Sequence, residues 1–304
     1  MKVAEKTRTV AEFTRIEHTL FALPFAFMGA VLAAGGVPDL TLLFWVFVGL
    51  VGGRSASLMI NDIVDEPIDA ANPRTDDRPL PSGRLSHTGA YVLVAVASLV
   101  LFYSAYRINT TAFVLSPIIL VHAYVYPYTK RYTSASHFVL GLNGSYAPIG
   151  GWIAVRGVDT ATVVGDLGDV VGYLGSLEYY PSLLLGGALV FWYAGFDIIY
   201  AFQDAEFDRE YGLRSVPAVY GRETARRVSA GCHGVMVVLL VALVAWTATA
   251  GFNATIFGAG VAVAAVLLVY EHLIAEHDIG KAFFTVNAVV SASLFFSLVA
   301  AVLL

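Results

Sequence analysis

The stretch Asn61-Asp62-Ile63-Val64-Asp65-Glu66-Pro67-Ile68-Asp69 decides how this chain is read. It closes a long apolar run, where carboxylates are least expected. Asn61, Asp65 and Asp69 recur every four residues, so on a helix they share one face. Pro67 removes a backbone donor and crowds the Ile63 carbonyl, which predicts a break near Glu66. On this reading Asn61 and Asp65 end a membrane helix, and Asp69 sits on the first turn of the next segment.

A second acidic run answers the first about 140 residues later, in Asp197-Ile-Ile-Tyr-Ala-Phe-Gln-Asp204-Ala-Glu-Phe-Asp208. The spacing of Asp197, Asp204 and Asp208 (i, i+7, i+11) again predicts one helical face. Each run leads into a polar loop, Arg78-Pro79 to Gly83 in one case and Arg214 to Pro217 and Gly221 in the other. This is a weak internal repeat. Six aspartates on two facing helices repel one another in a low dielectric and stay ionised together only with cations between them. Carboxylate and amide oxygens are hard ligands, so Mg2+ shared with substrate phosphates is the natural candidate. The predicted ligands are Asn61, Asp65, Asp69, Asp204 and Asp208.

The surroundings of these motifs are apolar. Hydrophobic residues make up 58% of the 304 and charged ones 13%, against about 45–50% and about 25% in soluble domains. The chain is therefore read as an integral protein of the plasma membrane, all-α, with residues 1–304 forming one membrane-embedded domain. A single cysteine, Cys232, excludes an internal disulfide, and the seven histidines show no zinc spacing. His18, His122, His137, His233, His272 and His277 are read as packed or interfacial residues. Apolar windows of about 20 residues predict nine spans, near 16–36, 40–63, 87–106, 111–128, 135–155, 180–203, 225–250, 254–273 and 281–303. With nine spans, 15 of the 18 Lys and Arg fall on the side of the N-terminus and only Arg107 and Arg156 on the other. That asymmetry predicts a cytoplasmic N-terminus, with both acidic motifs opening to the cytoplasm. Segment 157–179 is read as a solvated connector on the far side.

Arg54 precedes Asn61 by seven residues, so it lies on the same face about 10 Å deeper. A charge there costs about 2.5–3.5 kcal/mol on insertion scales, so it needs a partner: an anionic substrate group or a buried acid such as Asp197. Tyr126 and Lys130, at i and i+4, share a face at the end of the fourth span. Lys130 serves there either as a complement to diphosphate charge or as an interfacial anchor. Arg74, Arg78 and Arg214 sit in the two loops that cover the site, suited to phosphate contacts.

Together, Asn61-Asp62-x-x-Asp65-x-x-x-Asp69 followed by Arg78-Pro79-Leu80-Pro81-Ser82-Gly83, and Tyr200-x-x-Gln203-Asp204-x-x-x-Asp208, resemble the paired motifs of the UbiA superfamily of intramembrane prenyltransferases. The resemblance spans the chain. It implies nine helices around a central cavity capped by the loops after spans two and six, and transfer of a prenyl group from a polyprenyl diphosphate held by two Mg2+ ions. It assigns the Mg2+–diphosphate positions to Asn61, Asp65, Asp204 and Asp208, further acidic positions to Asp69 and Asp197, and the cavity lining to Arg54, Tyr126 and Lys130. By the same implication Asp65, Asp69, Asp204, Asp208, Arg54 and Lys130 carry the chemistry. Leu23-Pro24-Phe25-Ala26-Phe27 after Glu17-His18-Thr19, and Phe196-Asp197-Ile198-Ile199-Tyr200, are similar to the branch that prenylates 4-hydroxybenzoate or a related aromatic acid in quinone synthesis. Pro67 and Asp76-Asp77 depart from the pattern. Two rivals stand beside this reading: geranylgeranyl transfer to geranylgeranylglyceryl phosphate, and an ion- or proton-coupled transporter. Transporter sites lie at the midplane on broken helices, whereas these acids crowd one membrane face. Nucleic acid and an obligate protein partner are not indicated.

Overall fold

The computed structural model describes residues 3–14, 19–157, 179–275 and 277–304. Every regular element in them is helical: α1 (Val3–Thr14), α2 (Thr19–Ala34), α3 (Leu40–Asp69), α4 (His87–Ile108), α5 (Thr110–Thr129), α6 (Ser136–Arg156), α7 (Tyr180–Tyr200), α8 (Ala205–Tyr211), α9 (Val216–Thr249) and α10 (Ala254–Ile274). The chain then makes a helical turn, Ile279–Lys281, and a π-helical turn, Ala282–Val286, before α11 (Asn287–Leu303). Eight of the described helices are long and apolar enough to cross a membrane, and the shorter apolar Ala22–Ala34 takes the place of the first predicted span. Glu17-His18 and nearly all of the predicted connector 157–179 lie outside the described residues.

Two expectations about local structure are corrected. α3 does not break near Glu66: it runs through Pro67 to Asp69. Pro67 stands two residues from the helix end, where it deletes one backbone bond and its fixed φ still suits a helix. Asn61, Asp65 and Asp69 therefore share one face of a single helix. The second motif is the reverse case. α7 stops at Tyr200, a 3₁₀ turn follows over Ala201–Gln203, and Asp204 caps the short α8 with φ −107° and ψ 2°. Asp197, Asp204 and Asp208 thus stand on three successive elements. α9 also bends, at Gly221 (φ 78°, ψ 163°), a conformation that costs only glycine nothing.

Consecutive helices pack side by side, and α11 returns to α2, closing a ring. Inside it, α2, α6 and α7 approach closely through small residues. A Cβ on Gly151 would lie 1.9 Å from the Ala26 carbonyl oxygen, and one on Gly29 would lie 2.0 Å from that of Pro148. Backbone contact of this kind is how apolar helices gain packing where lipid offers no hydrophobic drive. The main core, around Trp192, Leu189, Leu240, Phe257 and Leu294, ties α7, α9, α10 and α11 together. The side of the ring built by α3, α5 and α6 stays open inside.

Candidate active site

The C-terminal parts of α3 and α7 line one cavity of about 290 Å³. Asn61, Asp65, Asp69, Arg54, Arg74, Arg78, Tyr126, Lys130, Asp197, Asp204 and Asp208 all line it. Of the site residues read from the sequence, only Arg214 is absent from the lining. Its side chain is exposed, and its backbone N–H donates to the Lys130 carbonyl at 2.8 Å.

The aspartates carry cationic partners from the protein itself. Lys130 Nζ donates to Asp65 Oδ2 at 2.6 Å, and Arg78 to Asp69 Oδ2 at 2.6 Å. Arg74 clamps Asp204 with two bonds, Nε to Oδ1 at 2.8 Å and the terminal amine to Oδ2 at 2.5 Å. Asn72 adds a third, Nδ2 to Asp204 Oδ1 at 2.9 Å. The loop after α3 is thereby fastened across the cavity mouth to the second motif. Burial pushes the Asp204 carboxyl up, but the bonds from Arg74 and Asn72 outweigh it and hold the group below the usual carboxylate range. At Asp208 burial prevails and the carboxyl stands above that range.

Asp197 does not pair with Arg54. His137 Nδ1 lies 2.6 Å from Asp197 Oδ2, while the Val216 N–H donates to His137 Nε2 at 3.2 Å. Because Nε2 accepts a hydrogen bond there, it is the unprotonated nitrogen, and Nδ1 carries the hydrogen and donates to the aspartate. His137 thus joins the site acid to the first residue of α9. No sequence signal marks this, since its partners lie 60 and 79 residues away. Asn72, next to Pro73 in a turn, is equally unmarked.

The predicted ligand set is not a ready-made metal cage: among the described residues no group of three Asp, Glu, His or Cys side chains is poised to hold an ion. Lys and Arg supply the countercharge that the sequence reading assigned to metal. Two oxygens are nevertheless left over. Asn61 Oδ1 and Asp65 Oδ1 are buried and accept no hydrogen bond. Unclaimed hard oxygens on residues that line the cavity fit a Mg2+-type ion. Formal charge agrees, because the lining sets five aspartates against Arg54, Arg74, Arg78 and Lys130. A diphosphate entering alone meets a net negative wall.

Below the charged end lies a second cavity of about 320 Å³, walled by aliphatic and small residues such as Val46, Leu50, Leu101, Ile119 and Ile153. Arg54 and Asn143 line both cavities. The guanidinium of Arg54 lies over the Tyr193 ring, 5.4 Å from its centroid, and its Nε is buried without a hydrogen-bond partner.

A charged pocket opening into an apolar chamber inside a ring of membrane helices defines an intramembrane site for an amphiphile with an ionic head. A model of the UbiA prenyltransferase family matches residues 22–302. The chain belongs to that family and is an intramembrane prenyltransferase. A 4-hydroxybenzoate octaprenyltransferase of Vibrio atlanticus is 30% identical over 223 residues, 72% of each chain. The apo structure of a UbiA homolog from Aeropyrum pernix superimposes with TM-score 0.79 at 33% identity, covering 93% of this chain and 97% of that one. A UbiA homolog from Archaeoglobus fulgidus bound to GPP and Mg2+ shares the fold at 18% identity and TM-score 0.65, over 97% of this chain and 100% of its own.

Proposed function

We propose that the protein transfers a polyprenyl group from a polyprenyl diphosphate to an aromatic acceptor of the 4-hydroxybenzoate kind, as in quinone biosynthesis. The observation that carries this reading is the unpaired Arg54 at the junction of the charged cavity and the apolar chamber. The similarity to a named 4-hydroxybenzoate octaprenyltransferase supports it. In this reading the diphosphate lies among Lys130, Arg74 and Arg78, and the isoprenoid chain lies in the apolar chamber. Asn61, Asp65, Asp204 and Asp208 would hold Mg2+, and Asp69 would support them. When bound, Mg2+ would supply positive charge for the departing diphosphate, which would ease ionisation of the allylic C–O bond. Tyr193 and Phe196 wall the cavity with rings and keep water from the allylic cation. The electron-rich ring of the acceptor attacks that cation and then gives its ring proton to the released diphosphate. The basic loops and both acidic motifs face the cytoplasm, following the distribution of Lys and Arg.

The deciding experiment is an acceptor screen with purified protein, Mg2+ and geranylgeranyl diphosphate, read by mass spectrometry. Prenylated 4-hydroxybenzoate is the expected product. Exclusive prenylation of geranylgeranylglyceryl phosphate would overturn the acceptor assignment. Arg54→Lys tests the same point. A planar guanidinium meets a carboxylate bidentately and an ammonium does not. The expected result is a rise in the Michaelis constant for the acceptor of about 10-fold, the range of one charge-assisted bond, with little change for the prenyl diphosphate. A rise confined to the prenyl diphosphate would move Arg54 to the diphosphate half of the site.

A further inference from the structure

Tyr193 walls the cavity with its ring, but its hydroxyl remains unused. It is 2% exposed, lines the charged cavity, and its hydroxyl is buried without a hydrogen-bond partner. The ring cannot easily turn away. Gly144 of α6 lies under it so closely that a Cβ there would sit 2.7 Å from two ring carbons. Trp192 packs edge-on against it at 5.6 Å, and Phe196 tilts over it at 4.8 Å. Trp192 is itself anchored: its indole N–H donates to Asn287 Oδ1 at 2.7 Å, and the Asn287 amide donates to Ala282 O and Glu271 Oε1. A hydroxyl held in one place and left without a partner is unusual in a buried site and calls for an explanation such as a ligand.

The second unclaimed donor nearby is Arg54 Nε, on the guanidinium that covers the same ring. A guanidinium offers only donors, and a phenol offers one donor hydrogen. Two donors without acceptors, one on the ring and one on the guanidinium that covers it, suit a planar oxyanion. We infer that the Tyr193 hydroxyl is a second acceptor-binding group, donating to the carboxylate that Arg54 also holds, so that the pair selects aromatic acceptors carrying an acid. This rests on the proposed aromatic acceptor and adds the group that reads its carboxylate. Diphosphate recognition stays with Lys130, Arg74 and Arg78, on the opposite side of Asn61.

Tyr193→Phe removes the hydroxyl and keeps the ring, its packing and its contact with Arg54. The test compares wild type and Y193F on 4-hydroxybenzoate and on the same phenol lacking the carboxylate, with geranylgeranyl diphosphate as donor. For the acid, the Michaelis constant rises about 10- to 100-fold, as expected for a lost bond to a charged group; kcat/KM for the plain phenol falls by a much smaller factor, so the preference for the acid over the phenol drops by about 10-fold or more. Thermal unfolding of ligand-free Y193F stays at or above the wild-type temperature, since no existing bond is removed, while stabilisation by added 4-hydroxybenzoate is lost. Equal loss on both acceptors, a change only in the prenyl diphosphate constant, or no change at all overturns the inference. A wild-type enzyme that prenylates only acceptors without a carboxylate overturns the proposed acceptor as well, and so separates the two failures.

Discussion

Asp65→Ala leaves the protein folded and in the membrane and lowers prenyl transfer by about 10²–10³-fold or more, the cost of removing one fixed electrostatic group from an active site. Asp65 is 3% exposed and divides its two oxygens between roles: Oδ2 holds Lys130, and Oδ1 accepts no protein hydrogen bond. Truncation therefore removes a metal-suited oxygen and frees Lys130. The lysine is 28% exposed at its side chain and can hydrate in place, so the loss of its partner costs little stability. Size-exclusion behaviour and thermal unfolding in detergent should match wild type while product formation falls. Asp65→Asn separates charge from shape, since it keeps the volume and one oxygen. Near wild-type turnover in either variant would mean that the ion binds elsewhere, and Asp208→Ala then becomes the informative substitution.

Chelation gives the other large effect. EDTA should abolish transfer to 4-hydroxybenzoate, and added Mg2+ should restore it. The reason lies in the charge of the cavity wall. Lys130, Arg74 and Arg78 are each already bonded to an aspartate, so their charge is largely spent within the protein. A diphosphate gains little from them unless a further cation enters with it. Binding of geranylgeranyl diphosphate, followed by calorimetry without acceptor, should weaken in EDTA to the same extent as activity. Tight binding and full turnover in the chelator would end the metal assignment.

How far the sequence revealed this site depends on what spacing can encode. The i, i+4, i+8 repeat of Asn61, Asp65 and Asp69 is a local relation on one helix, and it placed all three on the cavity. The same reasoning misjudged the second motif, because the turn at Ala201–Gln203 contains neither Gly nor Pro to announce it. Asp197, Asp204 and Asp208 still reach one cavity, but the short α8 turns back towards α3, where Tyr211 donates to the Pro67 carbonyl. Pro67 misled in the opposite direction, since a proline in a final turn sacrifices only one bond. Countercharge was the larger gap. The aspartates called for cations, and composition could not tell a metal from Lys130, Arg74 and Arg78. Partnerships such as His137 with Asp197 join positions far apart in sequence and carry no periodic signal. Arg214 shows that a basic residue in a covering loop need not point inward.

The unbroken α3 has a consequence for how a donor reaches the enzyme. Thirty residues at 1.5 Å each make a rod about 45 Å long, while the hydrocarbon layer is about 30 Å thick. Roughly the last third of the rod, which carries Asn61, Asp65 and Asp69, therefore rises into the headgroup layer. A polyprenyl diphosphate floats with its chain in oil and its head at that same height. A sideways approach at constant depth would leave neither end to change solvent on the way. The concentration that governs capture is then moles of donor per mole of lipid, a density on a surface, and the aqueous volume around the vesicle drops out.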